Sequence, residues 1–300
     1  MQRFRRIHVG LELDRKEDLV TLGSQQAAKQ AVWLAKLTDA RVSFFHSTWD
    51  DRVGEGGELS SEHRATLEDI VAEHAEELGR DCDLGISAER AWLSVSRRVS
   101  RADSELVVVG KRDRNRDEGR RIGSVAVKLL RKCPAAVWVV KPEHDLVHKL
   151  VLGATDLTPV GREAADLAGW ITRSSKDCQL HLVHALRIPN TLRKADPPLS
   201  EDEYSKAIDG LRAESMEAVC EGLTEPEPEP SIHIGRGAPA QVIREAVQHL
   251  GPDLLVMGSL SKGGVAGMQV GSTAERLLQR VDCSLLAVKP RDFVSPIPAL

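Results

Sequence analysis

The chain has no apolar run long enough to cross a bilayer, so no membrane-spanning helix and no membrane insertion are expected. It has no Cys-x-x-Cys pair. The five cysteines, Cys82, Cys133, Cys178, Cys220 and Cys283, are scattered and odd in number. That argues against a disulfide framework and for reduced thiols in a cytoplasmic protein, with Cys133 before Pro134 read as a buried core thiol. There is no excess of positive charge: the formal net charge is −4, which gives no case for nucleic acid or an anionic membrane surface. The basic opening MQRFRRIHVG is followed by no apolar h-region, so no secretory leader is expected. Signatures of catalysis are missing too. There is no G-x-x-x-x-G-K-[ST] loop, no G-x-S-x-G elbow and no Ser/His/Asp arrangement. His181 and His184 stand three apart on a strand, so they point to opposite faces and cannot share a metal. The other histidines show no ligand spacing. Neither a catalytic residue nor a metal site is expected.

What is present is a repeat. Leu106-Val-Val-Val-Gly110 returns as Leu254-Leu-Val-Met-Gly258. Thirteen residues beyond each glycine comes a Gly-Ser pair, Gly123-Ser124 and Gly271-Ser272. Each pair opens an apolar-periodic stretch and then a strand ending in Val-Lys-Pro, Val137–Pro142 and Leu285–Pro290. At the same offset Val95 falls on Ile243 and Val99 on Val247. The starts match as well: Ile7-His-Val-Gly10 and Leu150-Val-Leu-Gly153 both read as strands. Aligning those glycines sets Leu13 opposite Asp156. The boundary falls near Pro142–Lys149, giving domains at 1–145 and 146–300, and the short polar link implies that they sit close together.

Each half alternates strand and helix. Ala27, Ala31, Leu34 and Ala35 recur at helical spacing, Arg41–Trp49 reads as a strand, and Leu67, Ile70, Val71, His74 and Leu78 form a second helical stripe. The second half repeats this, with helices near Arg162–Thr172, through Tyr204, Ile208, Leu211 and Val219, and over Ala240–His249. Short all-apolar strands between helices imply an α/β fold, an open parallel sheet covered on both faces, present twice. The Glu-Pro run Glu225–Pro230 reads as an extended polar connector.

In such a sheet ligands bind beyond the carboxyl ends of the strands, where strand order reverses. A Gly-Ser at a helix start offers free N–H groups, a small side chain and a hydroxyl, which suits a phosphate. It also suits simple N-capping, and spacing alone leaves both open. Gly235-Arg-Gly237-Ala-Pro-Ala240 fits the dinucleotide fingerprint, but it follows the third strand of a repeat, and a proline at a helix start explains it structurally.

The pattern of Gly, two residues, a small residue, nine residues and Gly-Ser/Thr, set between an apolar strand and a helix, resembles the universal stress protein family. Here it reads Gly258-Ser-Leu-Ser261 to Gly271-Ser272 and Gly110-Lys-Arg-Asp113 to Gly123-Ser124. ATP-binding members carry Gly at the fourth position, and this sequence replaces it twice. If that position needs φ > 0, a non-Gly residue costs roughly 1–3 kcal/mol. The doubled arrangement and the KPRDF.SP tail resemble the tandem, E-type subgroup. The resemblance implies two Rossmann-like domains related by a pseudo-two-fold, with their last strands paired antiparallel within the chain.

It also implies an adenine-nucleotide site in the second copy. Asp156 would bond ribose or base, with Thr155 beside it. Ala185 and Met257 would line the base pocket. Gly258, Ser261, Gly271, Ser272 and Thr273 would wrap the phosphates, and Lys262 would add a charge contact. The ligand would be ATP, ADP or AMP, with or without Mg²⁺. The first copy reads as degenerate: Leu13 stands opposite Asp156, and its loop Lys111–Arg121 is long and charged. The alternative is that its arginines bind a phosphorylated ligand. The function implied is a cytoplasmic stress or regulatory protein that binds nucleotide without significant turnover and answers to an unknown protein partner, as a monomer or a homodimer. Two other readings stay open: an interaction module that binds no nucleotide, and a carrier of another phosphorylated or apolar ligand.

Overall fold

The computed structural model describes residues 4–14, 19–51, 53–111, 124–142, 148–194, 198–225, 227–259 and 273–298. In chain order the first half gives β1 (Arg6–Leu11), β2 (Leu13–Asp14), β3 (Leu19–Val20), α1 (Leu22–Thr38), β4 (Arg41–Ser47), β5 (Trp49–Asp50) and β6 (Glu55–Gly56). It continues with α2 (Ser61–Leu78), β7 (Asp83–Ser87), α3 (Ala91–Ala102), β8 (Leu106–Gly110), α4 (Ser124–Lys132) and β9 (Ala136–Val140). The second half gives β10 (Leu150–Thr155), α5 (Pro159–Arg173), β11 (Gln179–Leu186), α6 (Asn190–Arg193), α7 (Glu201–Glu221) and β12 (Ser231–Arg236). After these come α8 (Pro239–Leu250), β13 (Leu254–Gly258), α9 (Thr273–Leu278) and β14 (Ser284–Val288).

The chain divides into two compact units. The first holds β1 to β9 together with the segment from Cys283 onward, and so includes β14. The second holds β10 to α9. In the first unit the strands run β7-β4-β1-β8-β9-β14. All pairs there are parallel except β9 with β14, which is antiparallel with Trp138 opposite Leu286. The two Val-Lys-Pro strands thus pair as the family resemblance implies. In the second unit the order is β12-β11-β10-β13, all parallel. Each unit therefore starts its chain in mid-sheet and reverses direction beside that first strand, at β1/β8 and at β10/β13.

The residues explain these elements. Every residue of β9 and β14 is buried, and Leu106–Val109 and Leu254–Met257 are buried as well, as expected for strands covered on both faces. The helices start on side-chain caps. Thr21 accepts from the Ser24 N–H, Thr158 from the Gly161 N–H before Pro159 at the first helical position, and Ser200 forms a capping box with Glu203. The tail beyond β14 secures α4: the buried Lys289 ammonium donates to the Leu130 carbonyl, and the Ser295 hydroxyl donates to that of Lys132 at 2.7 Å. Cys133 is buried and free, with its thiol pushed up to about 11, chiefly by burial. Among the described residues no helix is long and apolar enough to cross a membrane, and no cluster of three or more His, Cys, Asp or Glu is placed to hold a metal ion.

Candidate functional site

The β10/β13 switch point gathers four of the residues singled out from sequence. Thr155 is the last residue of β10, Asp156 follows it, and Met257 and Gly258 end β13. Ala154 pairs with Met257 and Thr155 with His184, which sets Ala185 at the same edge on β11. Thr155 and Met257 are buried, Ala185 and Gly258 half-buried, and Asp156 is exposed. Thr273 is the first residue of α9, the helix that follows. Ser261, Lys262, Gly271 and Ser272 lie outside the described residues, as do Asp113 and Gly123 of the first copy.

A tight turn fixes Asp156. The Leu157 N–H donates to Thr155 Oγ1 at 3.1 Å, and the Thr158 N–H and hydroxyl both donate to Asp156 Oδ1, the former at 3.1 Å. Leu157 itself has φ 63°, a left-handed conformation that a leucine seldom takes. The first turn of α5 then presses on this loop. A Cβ at Gly161 would lie 2.4 Å from Asp156 Oδ1 and 2.8 Å from its backbone N, so only glycine fits there. Asp156 is thereby held at a helix N-terminus with one carboxylate oxygen in the turn.

Models of the universal stress protein family match residues 21–141 and again residues 148–289. The chain belongs to the universal stress protein family. It is a tandem, two-domain member related to the E type. It is 27% identical over 183 residues to Universal stress protein E of Escherichia coli K12, across 56% of this chain and 55% of that protein. The match thus spans about half the length of that relative. The Universal stress protein E homolog of Haemophilus influenzae is 24% identical over 275 residues, 84% of this chain and 88% of that one. A crystal structure of a universal stress protein from Pseudomonas aeruginosa superposes with a TM-score of 0.73 over 97% of this chain and 95% of that chain, at 22% identity, which shows the shared fold.

Strand register corrects one reading of the universal stress protein repeat. Leu11 pairs with His46 as Thr155 pairs with His184, and Gly10 pairs with Val109 as Ala154 pairs with Met257. Leu11 is therefore the equivalent of Thr155, and Glu12, not Leu13, that of Asp156. Matching Gly10 to Gly153 by type had slipped the alignment by one residue. A carboxylate is present in the first copy after all, but its surroundings differ. Between Glu12 and the α1 cap Thr21 the chain inserts the β2–β3 hairpin, where the second copy has only Leu157 before Thr158. The Glu12 N–H donates to Ser24 Oγ at 2.9 Å, and the Glu12 carbonyl accepts from the Thr21 N–H. Gly23 and Gly110 touch backbone to backbone: a Cβ on Gly110 would meet the Gly23 carbonyl carbon at 2.2 Å. In the second copy a Cβ on Gly258 would instead meet the Val160 side chain at 3.3 Å.

Two polar residues at the second edge escaped sequence reasoning. Ser259, next after Gly258, is 1% exposed, and its hydroxyl has no partner among the described residues. His184 is buried, with Nδ1 2.9 Å from the Thr155 carbonyl oxygen. The sequence had considered His184 only as a metal ligand beside His181. His181 instead meets His233 across β11 and β12, with ring nitrogens 2.9 Å apart. Burial lowers the pKa of both rings, and neighbouring histidines lower them further.

Proposed function

We propose that this universal stress protein binds an adenine nucleotide, ATP, ADP or AMP, at the β10/β13 edge of the second copy and does not turn it over. The observation that carries this is the clamped Asp156. Its turn, the capped α5 N-terminus and the glycine ending β13 meet at one switch point, where a ligand's ribose would find a carboxylate and its phosphates a helix start. Thr155, Ala185 and Met257 would surround the base. Ser261, Lys262, Gly271, Ser272 and Thr273 would carry the phosphates, with or without Mg²⁺. The functional division would follow the two repeats, 1–145 and 146–300, in a cytoplasmic stress-response protein.

Asp156 Oδ1 is committed to its own turn, which argues against Asp156 acting as a general base and supports binding without turnover. Titration calorimetry with ATP tests the reading. The wild type should bind, and Asp156→Ala should lose about ten- to a hundredfold in affinity, the value of one charge-assisted hydrogen bond. Equal affinity in a folded Asp156→Ala protein would refute the site. Phosphate release near the median enzyme rate of about 10 s⁻¹ would refute binding without turnover.

A further inference from the structure

His181 and His233 meet nitrogen to nitrogen, His181 Nδ1 lying 2.9 Å from His233 Nε2. The ring planes are 7° apart and the ring centres 5.2 Å apart. That separation is the nitrogen–nitrogen distance plus the two ring radii, the largest that the contact allows. The rings therefore lie edge to edge, in line and nearly in one plane, not face to face. One facing nitrogen carries the hydrogen and the other turns its lone pair straight at it. Such an alignment suits a shared proton, not a metal ion chelated from the side. Each residue is the third of its strand, at the end of the sheet opposite the candidate site.

Both rings are half-buried, and β12 is the outer strand of its unit's sheet, with β11 its neighbour. A Cβ on Gly235 would meet the Val242 side chain of α8 at 2.4 Å, and His233, two residues earlier, shares that face. The charged and titratable residues of α8 are Arg244, Glu245 and His249. Arg236 of β12 lies on the other face, over the Tyr204 ring of α7, and Arg212 of α7 bonds the Ile234 carbonyl. Burial holds both rings below the ordinary 6.5; His233 then lowers His181 further, and His249 lowers His233. The first copy has no such pair. By strand register Ser43 stands for His181 and Gly85 for His233. A Cβ on Gly85 would lie 2.5 Å from the Arg98 guanidinium carbon, so a cation that keeps its charge occupies that place.

We propose that the in-line His181–His233 bond is an acid-released latch that ties the edge strand β12 to β11. The neutral pair keeps a hydrogen on one facing nitrogen and a lone pair on the other, and a first added proton leaves that arrangement intact. A second proton puts hydrogen on both facing nitrogens, so the bond is lost and two cations face each other beside His249. The closed edge thus binds fewer protons than the open one. Its extra stability is present above the ordinary histidine value of 6.5 and is lost as pH falls below it. The proposal does not rest on nucleotide binding.

NMR of the nitrogen-15-labelled full chain tests the latch. At about pH 7.5 a scalar coupling across the hydrogen bond should join His181 Nδ1 to His233 Nε2, and it should vanish on acidification to about pH 5. Over the same range the amide protection of β12, corrected for intrinsic exchange, should fall about tenfold or more relative to that of β7, the edge strand of the first copy. His181→Gln and His233→Gln each leave one titrating ring, so in both the fall should largely disappear. His249→Gln removes one cause of the lowered proton affinity and should make the fall smaller. Should one glutamine variant fail to fold, the other and the wild-type coupling decide. No coupling at about pH 7.5, equal losses in β12 and β7, or a full fall in a folded glutamine variant overturns the proposal.

Discussion

At His8 the two ring nitrogens have unequal fates. Nδ1 lies 2.8 Å from the Ser43 hydroxyl, while Nε2 is buried with no partner. Burial, helped by the Arg98 charge, lowers its pKa to about 4. Between about pH 6.5 and 4 the unfolded chain therefore binds a proton that the folded chain refuses, and stability is lost as pH falls through that window. At pH 4.5 this amounts to about 2 kcal/mol relative to pH 7. Urea unfolding of the wild type and of His8→Gln should show it. The variant, starting from its own stability at pH 7, should lose about 2 kcal/mol less on acidification. Parallel losses in both proteins would place the acid sensitivity elsewhere. His8 sits in mid-strand on β1, so this cost belongs to packing rather than to the site.

At the scale of elements, the connection from first strand to first helix separates the two copies. In the second copy it is a clamp one residue long, and Gly161 is its keystone. Gly161→Ala places a methyl where Asp156 Oδ1 and N now lie, so the turn must open. The strain should cost about 1–3 kcal/mol, partly offset by about 1 kcal/mol from the better helix propensity of alanine. A lower melting temperature together with weaker ATP binding is expected. Unchanged values of both would show that the clamp does not position Asp156. Much of this was legible beforehand. The Gly-x-x-small spacing and the apolar strands follow from backbone chemistry that leaves a local signature. The rest was not legible, for physical reasons. The β2–β3 and β5–β6 hairpins have strands of two residues, too short to show periodicity. The glycine match that hid Glu12 was decided by register against β4 and β8, a long-range property. The hydrogen-bond partner of His184 is a carbonyl 29 residues away in the chain.

For the whole molecule, the proposed site predicts one nucleotide per chain rather than two. The first copy keeps the strand order, the histidine bonded to the end of the first strand and, at Glu12, a carboxylate. A missing acid therefore cannot explain an asymmetry. The backbone argument can. At the first edge Gly23 and Gly110 are in contact, Ser24 Oγ takes the Glu12 N–H, and a hairpin occupies the connection that the second copy leaves as one residue. A ligand there would have to displace polypeptide that already satisfies its own hydrogen bonds. Calorimetry with ATP should accordingly give a stoichiometry near one. Asp156→Ala should weaken that single event, and Glu12→Ala should leave it within about twofold, a change below 0.5 kcal/mol. Two events per chain, or a loss on Glu12→Ala with Asp156→Ala silent, would mean that the closed edge opens in solution and that the first copy is the one that binds.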